Sequence, residues 1–262
     1  MKVDFVFLDS GTGGIPYLLH LKKQKPEYTC AYYADTANFP YGEKTNQQII
    51  DCVKKDIINI RQKFNPEVIV IACNTMSVNA FIEARKQFPN QKIVGTVPAI
   101  KLAASLSKKK IIGLLATKST VENPYNIELQ QKFASDCKLV LRDDAELISF
   151  IEHFSFLASE SECIHAVEPA VDFFRKNNCD VIILGCTHFL NLSEIIQKVA
   201  GNDIKVIDSR DGVVKRALSI IDKKEKIISN EKSKLYVTGF TQKKDKDEYL
   251  YICKINGFEL IE

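Results

Sequence analysis

Two cysteines, Cys73 and Cys186, stand where strand-like apolar runs give way to small polar residues. Val68-Ile69-Val70-Ile71-Ala72 leads into Cys73-Asn74-Thr75, and Val181-Ile182-Ile183-Leu184-Gly185 leads into Cys186-Thr187-His188. A thiol at the mouth of a buried strand is a candidate nucleophile or base, once its pKa is drawn down from about 8.5 towards the working pH. Two such thiols in matching contexts suit a reaction that must deliver a proton to either face of one carbon.

Two other ionisable residues sit in comparable places. Asp9 ends the apolar run Phe5-Val6-Phe7-Leu8, and His188 follows Cys186 by two residues. Each has a structural reading, as a helix cap or a buried hydrogen-bonder, and a functional one, as a partner that orients or exchanges protons with a thiol. Ser10, Asn74, Thr75, Thr117, Thr120 and Thr187 add neutral donors at strand ends. Capping explains any one of them; their repetition suits an amino acid, whose carboxylates need several donors. The turn Asp9-Ser10-Gly11-Thr12-Gly13-Gly14 is either an anion cradle or a tight strand-to-helix bend. It is not a dinucleotide fingerprint or a phosphate loop, because the required glycine and Lys-Ser/Thr positions are not met.

Alternating apolar runs and amphipathic stretches must position these residues, which predicts an α/β fold with mainly parallel sheets. Strands are expected at Val3–Asp9, Thr29–Ala34, Val68–Ala72 and Ile93–Val97, then at Lys110–Ala116, Leu139–Arg142, Val181–Gly185 and Ile204–Ile207. Leu235–Gly239 is expected to add a strand to the first set. Helical periodicity is clearest over Thr45–Phe64 and recurs over Val78–Phe88, Asn126–Phe133 and Cys163–Asn177. The two strand sets match in order, with Asp9 falling on Ala116 and one cysteine motif on the other. This predicts two pseudo-symmetric α/β domains, residues 1–97 plus 209–262 and residues 98–208, with the active site in the cleft between them.

Composition narrows the class. At 262 residues, 45% hydrophobic and 26% charged, the chain has enough apolar surface for such cores. A net charge of +3, in short clusters such as Lys108-Lys109-Lys110, gives no reason to expect nucleic acid. No apolar run is long enough to span a membrane. The start Met1-Lys2-Val3-Asp4-Phe5 leads straight into a strand-like run, so a cytoplasmic location is expected. The eight cysteines are then expected as free thiols, and without C-x-x-C spacing no metal site is predicted.

Asp9-Ser10-Gly11, Pro40-Tyr41-Gly42, Ala72-Cys73-Asn74-Thr75, Val97-Pro98-Ala99, Ala116-Thr117 with Thr120, and Gly185-Cys186-Thr187-His188 together resemble glutamate racemase, over nearly the whole chain. The resemblance implies a two-base racemisation of glutamate that uses no cofactor. By it, Cys73 acts on D-glutamate and Cys186 on L-glutamate, with Asp9, His188 and Glu152 assisting. Substrate contacts are implied for Ser10, Tyr41, Gly42, Asn74, Thr75, Thr117, Thr120, Thr187 and His188. The product D-glutamate would supply peptidoglycan synthesis. Glutamate is then the expected small-molecule partner, and a homodimer is compatible with the resemblance. A racemase of the same superfamily acting on aspartate or another amino acid is the nearest alternative. A cysteine hydrolase would leave one cysteine motif without a role.

Overall fold

A computed structural model describes residues 2–222, 231–240 and 243–261. It divides into two compact units, Met1–Thr96 with Arg210–Glu262, and Val97–Ser209.

The first unit begins with β1 (Phe5–Asp9), α1 (Ile15–Gln24), β2 (Cys30–Ala34), α2 (Asn46–Phe64), β3 (Val68–Ile71), α3 (Asn74–Gln87) and β4 (Lys92–Gly95). The second contains α4 (Ile100–Leu106), β5 (Ile111–Ala116), α5 (Lys118–Val121), α6 (Tyr125–Phe133), β6 (Lys138–Asp143), α7 (Ala145–His153), α8 (Glu160–Lys176), β7 (Val181–Leu184), α9 (Ser193–Ala200) and β8 (Lys205–Ile207). The chain then returns to the first unit with α10 (Arg210–Ile220), β9 (Lys234–Val237), α11 (Lys243–Asn256) and β10 (Glu259–Ile261).

The first unit holds a six-stranded sheet in the order β10-β9-β2-β1-β3-β4, the second a four-stranded sheet in the order β6-β5-β7-β8. The pairings within both are parallel. Parallel sheets carry helices on their faces, which is why β1, β2, β3 and β7 are buried at every residue and read as apolar runs, broken only by Asp9 at the end of β1. Strand β9 lies beside β2, as the pattern at Leu235–Gly239 suggested.

Helix α2 shows why the sequence folds as it does. Thr45 caps it, accepting from the Gln48 amide in a reciprocal capping box, and Asn65 closes it in the left-handed conformation. Ile49, Val53, Ile57, Ile60 and Phe64 then bury one face against β1 and β3 residues such as Val6, Leu8, Ile69 and Ile71. The second unit has its own core around Ile112, Leu114, Val181 and Ile183.

Helix α3 starts at Asn74, four residues earlier than its apolar periodicity suggests. Cys73 is extended and stands at the cap position, so the helix begins immediately after the thiol and Asn74 and Thr75 form its first turn. Among the described residues no helix is long and apolar enough to cross a membrane.

Candidate active site

Each sheet has one place where successive connections leave in opposite directions. In the first sheet the chain goes from β1 to β2 on one side and then to β3 on the other; in the second it goes from β5 to β6 and then to β7. Ligands of open parallel sheets bind beyond the carboxyl ends of the strands at such switch points. Asp9 ends β1 and Ser10 follows it, Cys73 follows β3, and Thr117 and Cys186 follow β5 and β7.

The register makes these positions equivalent. Leu8 is opposite Ile71, and Leu115 is opposite Leu184. One step on, the Ala72 amide donates to the Leu8 carbonyl and the Gly185 amide to the Leu115 carbonyl, both at 2.7 Å. One further step brings each chain to its cysteine. Cys73 (φ −129°, ψ 123°) and Cys186 (φ −126°, ψ 137°) adopt the same extended conformation, each capping the helical turn that follows. Both are nearly buried, at 6% and 5% exposed.

Around Cys73, the Asp9 side chain is fully buried. Its Oδ2 accepts from the Gly14 amide at 2.6 Å and lies 3.2 Å from the Tyr32 hydroxyl. That hydroxyl accepts from the Gly14 amide at 2.9 Å and donates to the Gly11 carbonyl at 2.8 Å. The glycine-rich segment is therefore a tight bend whose Gly14 amide is held by Asp9. A Cβ on Gly14 would come within 2.9 Å of the Ala72 Cβ and of the Tyr32 oxygen, so glycine is needed for close approach. Tyr32 was not legible as part of this cluster, because a tyrosine in a buried strand reads as core.

Asn74, 2% exposed, has neither its amide nitrogen nor its carbonyl oxygen in a hydrogen bond. A buried, unbonded amide costs about 1–3 kcal/mol. At the first turn of α3, directly after a thiol, it has hydrogen-bonding capacity that the protein itself does not use. Thr75, the next residue, and Ser10, which follows Asp9, are also buried. Tyr41 and Gly42 lie in a short 3-10 turn, Tyr41–Glu43, in which the Tyr41 ring is buried and its hydroxyl donates to Asp35 Oδ2 at 2.5 Å.

Around Cys186, the partners differ. His188 Nδ1 is 3.6 Å from Cys186 Sγ, and His188 Nε2 is 2.9 Å from Glu152 Oε2. Burial alone would favour the neutral ring. The hydrogen bonds to Cys186 and Glu152, with the negative charge of those groups, outweigh it and hold His188 well above the usual histidine range. Glu152 arrives from α7, a helix capped by Asp144, which accepts from the Leu147 amide at 3.0 Å and pairs with Arg142. The buried face of α7 is Leu147, Ile148, Ile151 and Glu152, so the carboxylate points inward. Thr187 is buried. Thr117 caps α5, donating its hydroxyl to that of Thr120 at 3.0 Å.

This is an α/β protein whose two parallel sheets each present a nearly buried thiol at the switch point, one near a buried aspartate and the other in a Cys–His–Glu chain. Its residues 20–217 match the family described as Asp/Glu/Hydantoin racemase. It is 39% identical over 240 residues to the glutamate racemase of Treponema pallidum (strain Nichols), covering 91% of this chain and 88% of that one. It is 35% identical over 221 residues to that of Shewanella piezotolerans, covering 84% and 81%. Among solved structures, Escherichia coli glutamate racemase in complex with L-glutamate and the activator UDP-MurNAc-ala superposes with a TM-score of 0.85 at 28% identity, over 99% of this chain and 97% of that one. The chain belongs to the Asp/Glu/Hydantoin racemase family.

Proposed function

We propose that the protein interconverts L- and D-glutamate by proton transfer between two cysteines, without a cofactor, and supplies D-glutamate for peptidoglycan. The equivalent placement of Cys73 and Cys186 carries this reading: two thiols with the same backbone conformation, each at the switch point of its own sheet. The curated relatives, named as glutamate racemases, support the choice of substrate.

The step is a proton relay. One cysteine, as thiolate, takes the α-proton as its S–H bond forms and the α C–H bond breaks, and the electron pair stays on the substrate as a carbanion. The other, as thiol, returns a proton to the opposite face and becomes the thiolate. The α-carbanion is expensive, so fixed donors must hold the carboxylate into which its charge spreads. Ser10, Asn74, Thr75, Thr117, Thr120 and Thr187, with the Tyr41–Gly42 turn, are the donors assigned to the two substrate carboxylates.

The neighbours of the thiols differ, and so do their tasks. Cys186, which takes the proton from L-glutamate, has a histidine able to exchange a proton with it and Glu152 to hold the ring. Cys73, which takes the proton from D-glutamate, has Asp9, anchored by Gly14 and Tyr32. The test is a racemisation assay on L-glutamate and L-aspartate with no added cofactor. D-glutamate formation supports the reading; preferential turnover of aspartate, or a need for pyridoxal phosphate, contradicts it.

A further inference from the structure

A second pair of carboxyl groups lies buried in the first unit, outside the thiol clusters. Asp35, 1% exposed, follows β2; Asp56, 3% exposed, sits on the otherwise apolar face of α2. The Tyr41 hydroxyl meets both, donating to Asp35 Oδ2 at 2.5 Å and lying 3.4 Å from Asp56 Oδ2.

Asp35 accepts at both oxygens. Asn38 Nδ2 donates to each, at 3.0 and 2.9 Å, and the Thr238 hydroxyl donates to Oδ1 at 2.9 Å. It therefore acts as an acceptor-only carboxylate. Tyr41 has one hydroxyl proton, and the short contact to Asp35 uses it. Asp56 is in hydrogen-bond contact with Asp35 itself as well as with Tyr33 and Tyr41, and two carboxyl groups can be hydrogen-bonded to each other only if a proton lies between them. Two adjacent buried carboxyls in such contact hold one proton between them.

We propose that Asp35 and Asp56 share one proton and together clamp the Tyr41 hydroxyl, making them positioning residues for the Tyr41–Gly42 turn. The functional consequence depends on that turn contacting the substrate, as in the proposed reaction. The groups facing Asp56 are Asp35 and Tyr33 from the β2 side and Tyr41 from the turn. On α2 itself, Asn59 donates to the Tyr33 hydroxyl at 3.5 Å, and Cys52 lies beside Tyr41. Lys44 stands over the Tyr41 ring, 5.8 Å from its centroid. Burial, with the nearby carboxyls, holds Asp56 well above the usual carboxylate range. Burial first, and then Asp56, pushes the Tyr33 and Tyr41 phenols upward, so they stay protonated. Burial likewise raises the Cys52 thiol. When Asp56 loses its proton, two buried carboxylates repel, and Tyr41 is released.

The test compares Asp56→Asn and Asp35→Asn in the full chain. An amide at position 56 can still donate to its neighbours, so Asp56→Asn keeps KM within about twofold at neutral pH and removes the alkaline climb in KM expected of the wild type. Asp35→Asn takes away the carboxylate acceptor and raises KM about tenfold, with a smaller change in kcat. The proposal is overturned if both variants raise KM equally, or if the alkaline climb persists in Asp56→Asn. Two readouts do not depend on turnover. The infrared difference spectrum of wild type against Asp56→Asn shows a protonated-carboxyl band at neutral pH, and amide hydrogen exchange at residues 41–44 accelerates in Asp35→Asn alone. An enzyme inactive on glutamate that shows both would contradict the proposed reaction and leave the clamp standing; absence of the band or of the exchange difference would overturn the clamp.

Discussion

His188 is held from both sides: its Nε2 is 2.9 Å from Glu152 Oε2 while its Nδ1 faces Cys186 Sγ at 3.6 Å. With one nitrogen tied to a buried carboxylate, the ring has a fixed orientation and a fixed route for a proton to and from the sulfur.

Removing the carboxylate should expose that dependence. Glu152→Gln leaves a buried ring without its charge partner and should cost about 3 kcal/mol where the ring is protonated. The sign with pH follows from the raised native pKa of His188. The folded state binds the proton more tightly than the unfolded chain, so this stabilisation is complete below the unfolded value and fades as pH rises through the native one. Thermal unfolding of both proteins across pH measures it, and the gap should be widest on the acid side and narrow towards alkaline pH. A gap that widens with pH would reverse the assignment.

Asn74 should give the opposite pattern, stability gained and function lost. Its buried amide has no partner, so Asn74→Ala should leave the protein as stable or up to about 1 kcal/mol more stable. The same change should raise KM for glutamate about tenfold if the amide receives the substrate. Denaturant titration and steady-state kinetics on one preparation test both; lower stability with unchanged KM would make Asn74 a structural residue.

The close approach at Gly14 predicts that Gly14→Ala destabilises by about 1–3 kcal/mol, because Ala72 and Tyr32 must both move. Since the same glycine holds Asp9, kcat from D-glutamate should fall more than kcat from L-glutamate. Equal losses in both directions would detach Asp9 from Cys73.

The strands and the two thiols were legible in the sequence because buried parallel strands are uninterrupted apolar runs, and their ends are marked by abrupt polar residues. Helix α7 was not. Its acidic start, Asp143-Asp144-Ala145-Glu146, looks like solvated loop, yet Asp144 is the cap that begins the helix. Without α7, an assisting role for Glu152 could be implied only by resemblance, and its contact with His188 was not legible at all. Asp56 stayed hidden for a different reason: it falls between Val53 and Ile57, and only the tertiary approach of Tyr41 and Asp35 shows that it is buried. Strand β10, three residues long, carries too little pattern to be seen.

Either Cys73→Ser or Cys186→Ser alone should lower racemisation by about 10²–10⁴-fold, the usual worth of a positioned acid or base. One retained activity would leave a single-base mechanism.

Racemisation in deuterated solvent tests the two-cysteine account most directly. With L-glutamate as substrate and short reaction times, each D-glutamate formed should carry one solvent deuterium at the α-carbon, while the remaining L-glutamate keeps its proton. The base that removes a proton from one face is then not the acid that donates to the other. Deuterium entering the recovered L-glutamate as fast as the product would require one exchangeable base, and product free of deuterium would rule out proton transfer by the two thiols.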